Sequence, residues 1–214
     1  MLGNKIRQSV SNAYGISARD FVELISMLAY TSTGSELSCA EEVLFEDKYL
    51  SPEVQSNLHE GYKLYPLRAN DFERGYLDVL SVLTEVGDHT VETWNSQFQF
   101  MKKHNDTYFT VTITDEKSDR IAATGTILIE HKFVHKNGLV GHIEDIAVDS
   151  SHQGKKLGLR IIEALKFIGQ LTGCYKVILD CSVKNIPFYE KCGFTPKESQ
   201  MAWYIPSPHE KSHL

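Results

Sequence analysis

The chain has few cysteines, no excess of positive charge and no long apolar run, and each shortage excludes a class of protein. Its four cysteines, Cys39, Cys174, Cys181 and Cys192, include no C-x-x-C pair, so neither a zinc ribbon nor a disulfide-dense scaffold is supported. Reduced thiols fit the cytoplasm, with the protein free there or peripheral on an organelle surface. Lysine and arginine number 22 against 28 aspartates and glutamates, a formal net charge of −6, which argues against nucleic acid or an anionic membrane as a partner. The apolar stretch from Phe21 to Tyr30 contains Glu23 and is about half the ~20 residues that span a bilayer. With no secretory pattern at the N-terminus, a soluble protein without a transmembrane segment is expected.

Two motifs are missing as well. His131 and His135 lack an H-E-x-x-H arrangement, so no metal is implied. The loop around Gly154 is not a Walker A loop, because Asp149 stands where the first glycine would be and Lys155 is followed by Lys156.

Residues 1–60 are mixed in character, with a helical stretch over Arg19 to Ala29, and read as an extension ahead of a compact domain over 61–206 and a tail over 207–214. A strand from Tyr62 to Leu67 opens that domain. Asp71 is a candidate cap for a helix with Phe72, Tyr76, Val79, Leu80 and Leu83 at the 3.6-residue period, ending at Gly87. Thr90 caps a second helix, Val91 to Lys103. Thr107 to Asp115 and Arg120 to Phe133 are β-rich and flank a polar turn, which predicts a hairpin. After the central stretch come a helix from about Leu157 to Leu171, a buried strand from Tyr175 to Cys181, a short helix capped by Asn185, and a last strand from Met201 to Ile205. The alternation predicts a single α/β or α+β domain with a mixed sheet.

The central stretch, GHIEDIAVDSSHQGKKLGLR over Gly141 to Arg160, reads as strand, loop and helix. A loop entering a helix N-terminus presents unpaired N–H groups and partial positive charge, and here Lys155 and Lys156 add to both. A phosphate or pyrophosphate is the natural guest, although such a turn also serves as a plain surface connection. Glu144 and Asp145 face opposite sides of a regular strand, and a bulge would re-aim one of them. Asp180 ends an apolar strand, where open α/β sheets put ligands, or it is a turn former. Tyr189 is half-buried core or an acid able to protonate a departing thiolate. Lys132, His131 and His135 gather at a strand end, either solvated or facing a phosphate monoester.

Strand, a Gln/Arg-x-x-Gly-x-Gly/Ala-like loop, long helix, strand and a Tyr-bearing helix together resemble the Gcn5-related N-acetyltransferase (GNAT) superfamily. GHIEDIAV, GCYKVILDC, Lys184-Asn185, FYEKCGF, VLTEVG and IAATGTILIEHKFVH are similar to the branch of that superfamily that acetylates D-glucosamine 6-phosphate, over about residues 62 to 205. The resemblance implies the acyl-CoA N-acyltransferase fold with a mixed, mostly antiparallel sheet. It also implies acetyl-CoA as donor, the amino-sugar phosphate as acceptor on the way to UDP-N-acetylglucosamine, and a homodimer with sugar sites at its interface. Carried over, Ile146, Ala147 and Val148 would bond the pantetheine arm, and Gly154, Lys155, Lys156, Leu157, Gly158 and Leu159 would hold the pyrophosphate. Thr84, Lys132, Phe133, Val134, His135, Glu144, Asp145 and Ile146 would bind the sugar phosphate, joined by Tyr175 and Lys176 of the second subunit. Asp180 and Tyr189 would flank the reacting centre and touch the cofactor.

Two departures stand out. Relatives often have glycine at the position of Lys156, where a right-handed backbone is therefore expected, and an arginine at that of Tyr204. The expected reaction is direct attack of the amine on the thioester, with Glu144 or Asp180 as base, main-chain N–H near Ile146 polarising the carbonyl, and Tyr189 assisting the thiolate. A covalent route through Cys181 or Cys192 is the alternative mechanism. The competing functions are acetylation of a protein or polyamine amine, and a catalytically silent CoA-binding scaffold.

Overall fold

The computed structural model describes residues 42–205. The predicted helix over Arg19 to Ala29 and the tail lie outside them. Five strands form one sheet in the order β1-β2-β3-β4-β5: β1 Tyr62–Pro66, β2 Tyr108–Asp115, β3 Arg120–His131, β4 Leu139–Val148 and β5 Cys174–Leu179. The first four pair antiparallel and β5 runs parallel to β4. The helices of five or more residues are α1 Pro52–Ser56, α2 Tyr76–Leu80, α3 Val91–Lys103, α4 Leu157–Leu171 and α5 Ile186–Lys191, with a four-residue helical turn at Val134–Asn137.

β2 is buried on both faces. Phe109, Val111 and Ile113 alternate with Thr110, Thr112 and Thr114, all buried, and β-branched residues suit such a pleated surface. The threonines remain tolerable where their hydroxyls find partners: Thr110 and Thr126 are joined Oγ1 to Oγ1 at 2.8 Å, and Thr124 donates to the Val111 carbonyl at 2.9 Å. On α4, Leu157, Ile161, Ile162, Leu165 and Ile168 are fully buried, each contributing roughly 1.5–3 kcal/mol. Gly125 of β3 permits this contact. A Cβ there would lie 2.5 Å from both Ile161 Cγ2 and Ile146 Cδ1, too close for any side chain. Thr90 caps α3 as expected: its Oγ1 accepts from the Thr93 N–H at 3.3 Å while its own N–H donates to Thr93 Oγ1 at 2.9 Å.

Several elements differ from expectation. The helix predicted from Asp71 is broken by Gly75 in the left-handed region (φ 81°), so α2 is short and ends at Leu80, well before Gly87. Asp71 does not cap it. Its buried carboxylate instead accepts from the Arg68 N–H at 2.8 Å and from Arg68 Nε at 3.1 Å, because a buried charge requires a partner. Asn185 precedes α5 without a side-chain capping bond. β5 is half-exposed rather than buried, since among the described residues only β4 pairs with it. Met201–Ile205 forms no strand; Met201, Trp203, Tyr204 and Ile205 are at least 81% exposed, for no strand edge among the described residues receives them. Upstream of β1, Leu44, Phe45 and Val54 pack into the same core, so this core also takes in residues ahead of Tyr62.

Candidate active site

The centre of the site is an interruption in β4. Thr126 pairs with Glu144, but the next pairing joins Thr124 to Ala147, so an extra residue is accommodated and the strand bulges. Asp145 takes the strain with φ 55°. Glu144 and Asp145 both become exposed, which resolves the conflict of two adjacent acids on a regular strand. The β4–β5 pairing ends at Ile143 and Leu179, so Glu144 to Val148 have no partner on that side. An open strand edge results, with Asp180 and Cys181 across the gap.

The loop and α5 close on the same edge. A Cβ at Gly158 would stand 3.5 Å from Phe188 Cζ and 3.5 Å from Val148 Cγ2, so the end of β4, the start of α4 and α5 converge there. Among the described residues, the N–H groups of Leu157, Gly158 and Leu159 donate to no backbone carbonyl, as the first turn of a helix requires. Gly154 has φ 80°. Lys156 does not take the expected right-handed conformation: it sits at φ 60°, ψ 18°, the region that glycine occupies without penalty. The turn geometry is kept and the lysine bears the strain.

Charge is distributed unevenly around the edge. Desolvation first, then the neighbouring Asp145 and Asp180, push the Glu144 carboxyl above the usual range, against an opposing pull from His142. Asp180 therefore lies close enough to Glu144 for its charge to be felt. Tyr189 is half-buried, and burial followed by the Cys181 and Cys192 thiols pushes its phenol up, so it stays protonated. His142, missed in the sequence, lies on the face of Glu144; its Nε2 is 2.8 Å from Glu130 Oε2. The two-residue spacing from Glu144 is the signal that could have found it.

The sugar-phosphate candidates fall into separate groups. Lys132 Nζ donates to Glu130 Oε1 at 2.7 Å, so Glu130, held below the usual carboxylate range by Lys132 and His142, joins both. His135, Lys136 and Asn137 are all left-handed (φ 54°, 58° and 61°), a costly run for non-glycine residues. Phe133 is 97% and Val134 60% exposed. The resemblance assigns Tyr175 and Lys176 to a second subunit, yet within one chain the Tyr175 ring already lies 4.3 Å from that of His135. Thr84 is exposed in the turn after α2, and no described contact ties it to these groups. No cluster of three or more His, Cys, Asp or Glu suited to a metal occurs among the described residues.

A cavity of about 1380 Å³ runs along β5 between α1, α4 and residues 193–200. Asp180, Cys181 and Tyr189 line it, whereas Ile146 to Val148 do not.

The profile of the acetyltransferase (GNAT) family matches residues 64–194. The chain belongs to this family. It is 46% identical over 155 residues to glucosamine 6-phosphate N-acetyltransferase 1 of Dictyostelium discoideum, covering 72% of this chain and 98% of that protein. It is 43% identical over 146 residues to the Arabidopsis thaliana glucosamine 6-phosphate N-acetyltransferase, covering 68% and 98%. A crystal structure of the Arabidopsis enzyme superposes with a TM-score of 0.67 at 42% identity, over 69% of this chain and 100% of that one. The mixed five-stranded sheet is the GNAT fold.

Proposed function

We propose that this GNAT chain transfers acetyl from acetyl-CoA to the amine of D-glucosamine 6-phosphate, giving N-acetylglucosamine 6-phosphate for UDP-N-acetylglucosamine synthesis. The acceptor is the one named for relatives 42–46% identical to this chain over 137–155 aligned residues. The observation that carries the reading is the bulge at Asp145 on a stretch of β4, Glu144 to Val148, that β5 leaves unpaired along its side, beside a carboxylate of raised pKa. An extended arm with amide groups fits such an edge as an added strand would, and the free N–H groups of Leu157 to Leu159 suit its phosphates.

Acetyl-CoA supplies an acetyl thioester. Glu144 accepts the proton of the attacking amine, the N–H near Ile146 hydrogen-bonds the carbonyl oxygen, and Tyr189 gives its proton to the sulfur as the C–S bond breaks and the C–N bond forms. No acyl-enzyme is formed. Lys132, Lys176 and the His135 ring are the donors for the sugar phosphate, with Thr84 and the 133–135 loop at its rim. The exposed Met201, Trp203, Tyr204 and Ile205 support a homodimer in which this segment is covered by a second copy. The test is thiol release from acetyl-CoA with glucosamine 6-phosphate, glucosamine and a lysine peptide side by side. Release with the phosphorylated sugar alone is expected; release with the peptide alone removes the reading.

A further inference from the structure

Tyr62 begins β1, at the opposite side of the sheet from β5, where acetyl transfer assigns no residue. Its phenol is nevertheless the middle of a polar chain reaching into the loop ahead of α4. The Lys155 ammonium donates to Tyr62 Oη, and Oη in turn lies 2.7 Å from His152 Nδ1. Lys155 Nζ is also 3.5 Å from that nitrogen and 5.0 Å from the centre of the Tyr62 ring. The His152 ring meets the Tyr62 ring edge-on at 5.7 Å. Asp115, the strand partner of Tyr62, adds negative charge. It is held below the usual carboxylate range first by its bond from Ser118, with His152 and Lys155 contributing.

One side chain therefore fixes the start and the middle of the loop at once. A solvated lysine beside an anion site would lose side-chain freedom when its ligand arrives. Lys155 has already been ordered, and it retains N–H donors beyond the one given to Tyr62. The order imposed on residues 152–155 also fixes the backbone leading to the free N–H groups of α4.

We infer that Tyr62, acting through Lys155 and His152, is a positioning residue for the phosphates of the acyl-CoA donor. The inference rests on the reading of residues 154–159 as the pyrophosphate loop. Its opposite, that Tyr62 withdraws Lys155 from the anion, predicts tighter binding once the phenol is removed.

Calorimetric titration of the full chain with CoA separates the two. Tyr62→Phe is expected to weaken CoA binding about five- to tenfold, the scale of one charge-assisted hydrogen bond. Lys155→Met approaches the same chain from the loop side and should weaken it at least as much, with the double variant no weaker than Lys155→Met. Turnover with acetyl-pantetheine, a thioester lacking the nucleotide phosphates, should be the same for Tyr62→Phe as for the parent, which a merely structural role would not give. Undiminished or tighter CoA binding by Tyr62→Phe, or losses that add in full in the double variant, overturns the inference alone. Failure of the unsubstituted chain to bind CoA overturns the loop reading and this inference with it.

Discussion

At Glu144, which is exposed but partly desolvated, the lost hydration and two like charges act in the same direction. Desolvation, Asp145 and Asp180 all raise its pKa, and a carboxyl raised in this way is a better base near neutrality than an ordinary one with a value of about 4.3. The sign follows directly: as pH falls through the raised value the base is protonated and kcat/KM falls. The acid limb of the pH profile should therefore lie above the ordinary carboxylate range, and Glu144→Gln should abolish that limb and lower turnover by about 10²–10⁴. A limb that survives the substitution would transfer the role to Asp180. In the sequence the pair of acids was visible, but the direction in which each points was not, because that depends on the φ of 55° at Asp145.

Among the elements, the loop into α4 carries strain at a known position. Lys156 at φ 60° bears a cost that glycine avoids, offset in part by the greater freedom glycine has when unfolded. Lys156→Gly is expected to stabilise the fold by about 0.5–1 kcal/mol, with a rise in Tm of roughly 1–4 °C in thermal unfolding. No rise, or a fall, would mean that the lysine side chain contributes more than its backbone costs. Periodicity located α3, α4, β2 and β3 because each buries a regular face or both faces. The same reasoning overran at α2, where Gly75 turns the chain between Phe72 and Tyr76 and so interrupts the apolar period. It also read β5 as buried: an apolar run looks the same whether the strand has one neighbour or two.

At the scale of the molecule, Met201 to Ile205 and the open side of β5 belong to one question. An exposed Trp203 and Ile205, at 83% and 81%, are unfavourable in water unless something covers them. Trp203→Asp combined with Ile205→Asp should convert a dimer to a monomer in analytical ultracentrifugation. CoA binding should persist and turnover of the sugar phosphate should fall, since Tyr175 and the 133–137 loop would lose a facing subunit. A monomer before substitution would remove the dimer from the proposal.

The order of β1 to β5 with α3, α4 and α5, the acid pair, the Gly-Lys loop and the Tyr-bearing helix were legible along the chain, because each depends on neighbours within a turn or two. Tertiary structure decided the rest. Only pairing with β3 creates the bulge, only the parting of β4 from β5 opens the edge, and only the approach of β1 joins Tyr62 to Lys155, whose contact spans 93 residues. Those features depend on which elements meet in space, and residue spacing carries no record of that.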